Sequence, residues 1–239
     1  MGLNSFIWDL LFIKQQKIMS ISVNDIIEAQ AHIGTLKSEA HPKTNKYWAG
    51  VVNNIAVINP ESIIEQIENA QKKIKKAKEE GKEILVVSEK KMYADELEKL
   101  GEKYWFNYLN YKLPSGFLTN FETLKKRIES MNTMARFIDT ENYLSLTKKE
   151  QLVYKRKLAR VLKIYKWVKW LSRKPELVIV LDGQMMDNFI NEITKTPDIQ
   201  NIIIAGTNFN RRWAEDSIIL ANMWSHKSVD FILNSMFMV

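Results

Sequence analysis

Short apolar runs recur along this chain at 54–59, 83–88, 176–182, 201–205 and 217–220. A strand with one wet face alternates apolar and polar residues. These runs do not alternate, so both faces of each strand must be covered. Helical repeats fill the intervals. Pro60 opens one helix at its first turn, where a missing N–H costs nothing, and Ile63, Ile64, Ile67, Ala70, Ile74 and Ala77 keep helical spacing until Gly81 ends it. Further helices are predicted over 92–100, 185–194 and 227–237, with a short amphipathic one over 23–31 capped by Asn24 or Asp25. Covered strands alternating with helices predict an α/β fold built on a doubly wound parallel sheet.

One segment interrupts this pattern. Residues 122–174 hold 15 Lys and Arg against 5 Asp and Glu, a net charge of +10 in a chain of +7, so the remainder carries −3. Within it, Leu124, Ile128, Met131, Ala135 and Ile138 form one apolar stripe, and Leu152, Leu158, Val161, Leu162, Tyr165 and Val168 form another. With 139–147 between them, the stripes predict an antiparallel coiled-coil hairpin whose cations face outwards. A charge run on a helix is ordinarily a solvated face. An excess of this size on two helices instead favours a polyanionic partner, with nucleic acid first. The expected organisation is an N-terminal extension at 1–22, a sheet domain at 23–120 and 175–239, and a basic helical hairpin at 121–174.

Several function classes find no support. Without cysteine there is no disulfide, thiolate metal site or cysteine nucleophile. The apolar stretch at 6–13 is interrupted by Asp9 and falls short of the roughly 20 residues of a bilayer span. It also lacks the basic flank and cleavage pattern of a secretory signal, so it is expected to dock on a neighbour. A doubly wound sheet invites a ligand at its strand C-terminal ends, where Ser88, Asp182 and Thr207 lie. Yet no G-x-G-x-x-G or G-x-x-x-x-G-K-[ST] loop follows a strand. The three histidines, His32, His41 and His226, have no metal-ligand spacing. No catalytic residue, cofactor or metal is expected. The competing reading is an α/β enzyme acting on a nucleotide or phosphorylated substrate, with the hairpin as a lid. A third, an anionic-membrane binder, conflicts with apolar stripes that are committed to each other.

The loop at 32–46 has a different character. Lys37, Lys43 and Lys46 can neutralise phosphates, while His32, His41 and Asn45 can donate to phosphate or ribose. Pro42 stiffens the loop and Trp48 is expected to anchor it to the core.

The stretch Pro114-Ser115-Gly116-Phe117-Leu118-Thr119-Asn120-Phe121-Glu122-Thr123 resembles the G-G-x-L-T-N-[WF]-x-T block of the bacterial-type small-subunit ribosomal protein S-two family. Leu146-Thr147-Lys148-Lys149-Glu150 is similar to that family's L-T-K-K-E, and Ala31-His32-Ile33-Gly34 with Pro42-Lys43 to its H-[FI]-G-H…N-P-K. Residues 55–59 resemble its I-x-I-I-[ND], residues 175–182 its P-D-x-[LV]-x-[VI]-x-D strand, and Thr207-Asn208 its D-T-N turn. The resemblance runs in order from about residue 23 onwards. It implies a Rossmann-like sheet with an inserted hairpin and a non-catalytic place in the small ribosomal subunit, bound to small-subunit rRNA and adjacent ribosomal proteins, with no small-molecule substrate and no membrane.

With the charge map, it nominates His32, Lys37, His41, Lys43, Lys46, Thr119, Asn120, Lys125, Lys126, Arg127, Lys148, Lys149, Lys155, Arg156, Lys157, Arg160, Arg211 and Arg212 as rRNA-binding. Departures from the family's pattern are Ser115 for its first glycine, Thr35 for its second histidine, and Arg211 and Arg212 near its acidic turn. These changes, with 28 Lys against 7 Arg, suit a ribosome with altered neighbours and an AT-rich genome. The expected location is an organelle-encoded mitochondrial ribosome, with the bacterial cytoplasm as the alternative.

Overall fold

The apolar runs fold as strands, though not all in one sheet. The computed structural model describes residues 21–168, 171, 173–210 and 215–238, so nearly all of the expected extension 1–22 lies outside it. Helix α1 (Val23–Glu28) is capped by Ser22 rather than Asn24 or Asp25. The Ser22 hydroxyl accepts the Asp25 N–H at 3.2 Å and the Asp25 carboxylate accepts the Ser22 N–H at 2.8 Å, a reciprocal capping box.

Three short strands, β1 (Ile33–Leu36), β2 (Trp48–Val52) and β3 (Ile55–Ile58), then form an antiparallel sheet in the order β1-β3-β2. The run at 54–59 therefore does not join the parallel sheet, and the expected loop at 32–46 contains a strand. The cause is Asn53-Asn54, both at positive φ (48° and 64°), a two-residue turn that folds β2 back onto β3 with Val52 opposite Ile55. Asparagine tolerates this conformation where β-branched residues do not.

Helix α2 (Pro60–Glu79) leads to β4 (Ile84–Val87), and α3 (Ala94–Tyr104) to β5 (Asn107–Leu109). A helical segment follows: α4 (Phe121–Phe137), the single turn α5 (Glu141–Leu144) and α6 (Lys148–Tyr165). The chain then completes β6 (Leu177–Leu181), α7 (Asp187–Thr194), β7 (Gln200–Ala205), β8 (Ile218–Leu220) and α8 (His226–Phe237). Strands β4 to β8 form a parallel sheet in the order β5-β4-β6-β7-β8, the doubly wound arrangement expected. All residues of β4 and β6 are buried, which is why their sequences show no alternation. Because β5 is added on one side of β4 and β7 and β8 on the other side of β6, right-handed crossovers place α3 and α7 on opposite faces.

Helices α4 and α6 pack antiparallel. Met131 and Met134 share a groove with Val161 and Ile164, while at the far end the Phe137 ring lies 5.2 Å from Tyr154 and 6.1 Å from Tyr143. Leu124, Ile128, Met131, Leu158 and Tyr165 are buried and continuous with the core of the sheet. Leu152, expected in this seam, is half exposed. Tyr154 takes its place because it precedes Leu158 by one helical turn, whereas six residues separate Leu152 from Leu158 and turn it off that face. Thr147 and Glu150 form a second capping box, the Thr147 hydroxyl accepting the Glu150 N–H at 3.4 Å, which accounts for the L-T-K-K-E start.

Candidate nucleic-acid interface

Loop 32–47 is latched to the C-terminal end of β7 by one buried residue, Thr207. Its hydroxyl accepts the Thr35 N–H at 2.8 Å and meets the Thr35 hydroxyl at 2.7 Å. The Thr207 carbonyl accepts the His41 N–H at 2.9 Å and the Thr44 hydroxyl at 3.1 Å. Thr44 and Thr207 are both fully buried. Gly34 permits the approach: a Cβ there would stand 2.6 Å from the Ala56 carbonyl and 2.9 Å from the Thr207 side chain. Thr35, where the family has histidine, thus belongs to the latch.

Lys37, Lys43 and Lys46 are exposed on this loop, and Lys46 Nζ lies 4.8 Å from the centre of the Tyr47 ring. Both histidines of the loop are partly buried. His41 Nδ1 accepts the Lys43 N–H at 3.3 Å and caps the 3-10 turn Pro42–Tyr47. His32 is partly buried, with Nδ1 enclosed and without a hydrogen-bond partner among the described residues. Trp48 is half-buried, but it is Tyr47 beside it that packs against the hydrophobic core. Arg211 and Arg212 lie outside the described residues.

The block at 114–123 that resembles the family motif forms the entry to the helical segment. Gly116 has φ +79°, a conformation that favours glycine, whereas Ser115 in the preceding position has no positive φ. Glu192 on α7 fixes the turn, its carboxylate accepting the N–H groups of Gly116 at 2.6 Å and Leu118 at 3.1 Å. Thr119 and Asn120 are exposed beyond it, and Asn120 makes no capping bond through its side chain. Lys126, Arg127, Lys148, Lys149, Lys155, Arg156, Lys157 and Arg160 are exposed on α4 and α6, and Lys125 is half-buried. Among the described residues, no ion pair engages any of these nine cations. Their mutual repulsion is left for counterions or a polyanion to relieve.

The crevice where such sheets hold ligands is filled from within. It lies between β4 and β6, where strand order reverses. The Lys90 ammonium is paired with the Asp182 carboxylate there, their side chains only 10% and 8% exposed. Lys90 also donates to the Met223 carbonyl at 3.0 Å and lies 4.4 Å from the Trp224 ring. Ser88 is buried and accepts the Lys90 N–H at 3.2 Å. The Tyr93 hydroxyl donates to the same Met223 carbonyl, and burial, with the Asp182 charge second, pushes its phenol up. Ser88, Asp182 and Thr207, the groups an enzyme reading needs, are all committed to contacts within the chain. In the sequence Thr207 stands out as a strand-end group and as part of a turn but not as a latch, and neither Glu192 nor Lys90 stands out; a carboxylate or lysine that serves a distant backbone leaves no local signature.

A doubly wound domain with a self-filled crevice, and with its unpaired cations on an inserted helical pair, has the design of a binding scaffold. Residues 26–238 match the model of the family described as ribosomal protein S2, and the chain belongs to that family. It is 31% identical over 213 residues to the small ribosomal subunit protein uS2 of Flavobacterium psychrophilum, covering 89% of this chain and 79% of that relative. The uS2 protein of Fusobacterium nucleatum is 30% identical over 174 residues, 72% of this chain and 70% of its own length. The uS2c protein of Cyanidium caldarium is 28% identical over 218 residues, 91% and 89% of the two chains.

Proposed function

We propose that this chain is a structural constituent of the small ribosomal subunit, bound to small-subunit rRNA and neighbouring ribosomal proteins. The family match across 26–238 carries the reading. The nine unpaired cations on α4 and α6 support rRNA as the partner of that surface, with Lys37, Lys43 and Lys46 as a second set of phosphate contacts. In this reading 23–120 and 175–239 act as the body and 121–174 as a basic projection, a coiled-coil hairpin lying along rRNA. The named relatives place the family on the ribosome. An organelle-encoded mitochondrial ribosome is our reading of the compartment, supported by 28 Lys against 7 Arg and by Thr35 in place of the family's second histidine.

Sedimentation of the tagged chain from its native extract, with and without ribonuclease, tests this. Co-migration with the small subunit that disappears on RNA digestion is expected, and it should track the mitochondrial fraction. Charge reversal of Lys125, Lys126 and Arg127 together should lower incorporation severalfold. A free 28.0 kDa species in both gradients would refute the assignment.

A further inference from the structure

The entry and exit of the helical segment meet in a cleft of about 630 Å³. Thr119, Asn120, Glu122 and Lys125 line it from the entry side, Arg173 and Lys174 from the exit side, over an apolar floor. Three cations thus face one carboxylate. Two further observations set this cleft apart from the outer faces of the helices.

First, both walls are anchored. Glu192 holds the entry turn through the Gly116 and Leu118 N–H groups, and Arg173 donates from Nη2 to the Gly81 carbonyl at 3.3 Å. Second, Lys125 and Lys174 are half-buried, whereas Lys126, Lys148, Lys149, Lys155 and Lys157 are exposed. A lysine already restricted by its surroundings loses less rotamer freedom on meeting a ligand. Asn120, without a capping bond of its own, leaves its amide able to donate into the cleft.

We infer that this cleft binds a phosphodiester of the RNA, with Lys125, Arg173 and Lys174 balancing its charge and Thr119 and Asn120 donating to phosphate or ribose oxygens. The inference rests on the rRNA reading above. Charge complementarity favours RNA over a protein segment, because the cations stand on a small apolar floor and extend the basic surface of the helices. Glu122 opposes the ligand. A contact at this root would set the angle at which the helical pair leaves the body.

Filter binding of the full chain to transcribed small-subunit rRNA, over a range of potassium chloride concentrations, provides the test. Lys125→Gln with Arg173→Gln and Lys174→Gln should lower the slope of log affinity against log salt by about one per cation removed. Glu122→Gln should bind more tightly than the wild type at low salt. A control with Lys155→Gln, Arg156→Gln and Lys157→Gln reports the outer faces, and thermal melting confirms folding. Wild-type affinity and slope in the cleft variant, beside a weakened control, would overturn the cleft and leave the rRNA reading intact. If the triple variant does not fold, the Glu122→Gln arm decides, and unchanged binding there overturns the inference. Failure of the wild type to bind rRNA would overturn both.

Discussion

Loop 32–47 and the helical segment 121–165 both offer lysines to solvent, but opposite forces hold them. The loop is short, carries Lys37, Lys43 and Lys46, and hangs on buried hydrogen bonds that converge on Thr207. The helical segment carries nine nominated cations and is zipped by an apolar seam that runs into the core of the sheet. A dense array of like charges cannot supply its own cohesion, so the residues behind it must do so. Leu124, Ile128, Met131 and Leu158 meet that need without using any polar group. A few cations that must be set at one place against a sheet edge call instead for directional bonds. Density is built on an apolar seam, placement on hydroxyls.

The largest expected effect tests the seam. Ile128→Ala should cost about 2–5 kcal/mol, because the site is buried and opens a cavity. Since the seam and the sheet share one core, circular dichroism should show one unfolding transition at a lower temperature. Two transitions would mean that the helical pair melts on its own.

Thr207→Val should cost about 1–3 kcal/mol, since it strips the Thr35 N–H and hydroxyl of their partner while preserving shape. Amide hydrogen exchange should speed up across 37–47 and stay unchanged in α4 and α6. Equal acceleration in both regions would erase the distinction between them.

The smallest effect lies away from both regions. Glu96 faces Asp230 across α3 and α8, with His226 Nε2 at 3.8 Å and Lys99 nearby, and its carboxyl is pushed up by burial first and by Asp230 second. A raised carboxyl stabilises the fold while protonated, and that contribution is lost as pH rises through its folded value. Glu96→Gln should therefore raise the melting temperature at neutral pH, by less than about 1 kcal/mol in stability, and the gain should vanish near pH 4. A gain that persists in acid would assign the effect to something other than the ionised pair.

The parallel sheet was legible because its buried strands show no alternation, and the basic segment because its charge is local in sequence. What stayed hidden depended on distance or on single torsions. The β2–β3 hairpin rests on two asparagines at positive φ, and Asn-Asn is a weaker turn signal than Asn-Gly. Strand β5 has three residues and opens with Asn107, too short for any period to show. Tyr154 displaced Leu152 in the seam because helical phase outranks hydrophobicity once a partner helix fixes the face. In the site, exposed lysines could be listed from composition. Arg173 and Lys174 could not be joined to Thr119 and Asn120 until folding closed the base of the insertion.

The strand order also governs when the sheet can form. β6 is the central strand, yet Leu177, its first residue, is made only after the whole helical segment that follows Leu109. Until then one edge of β4 lacks its neighbour, and an open strand edge is a template for misassembly. Helices joined by a short connection fold through local contacts, faster than distant parallel strands can pair. Once zipped, α4 and α6 bring their two ends together and shorten the effective loop that β6 must close, lowering the entropy cost of inserting it.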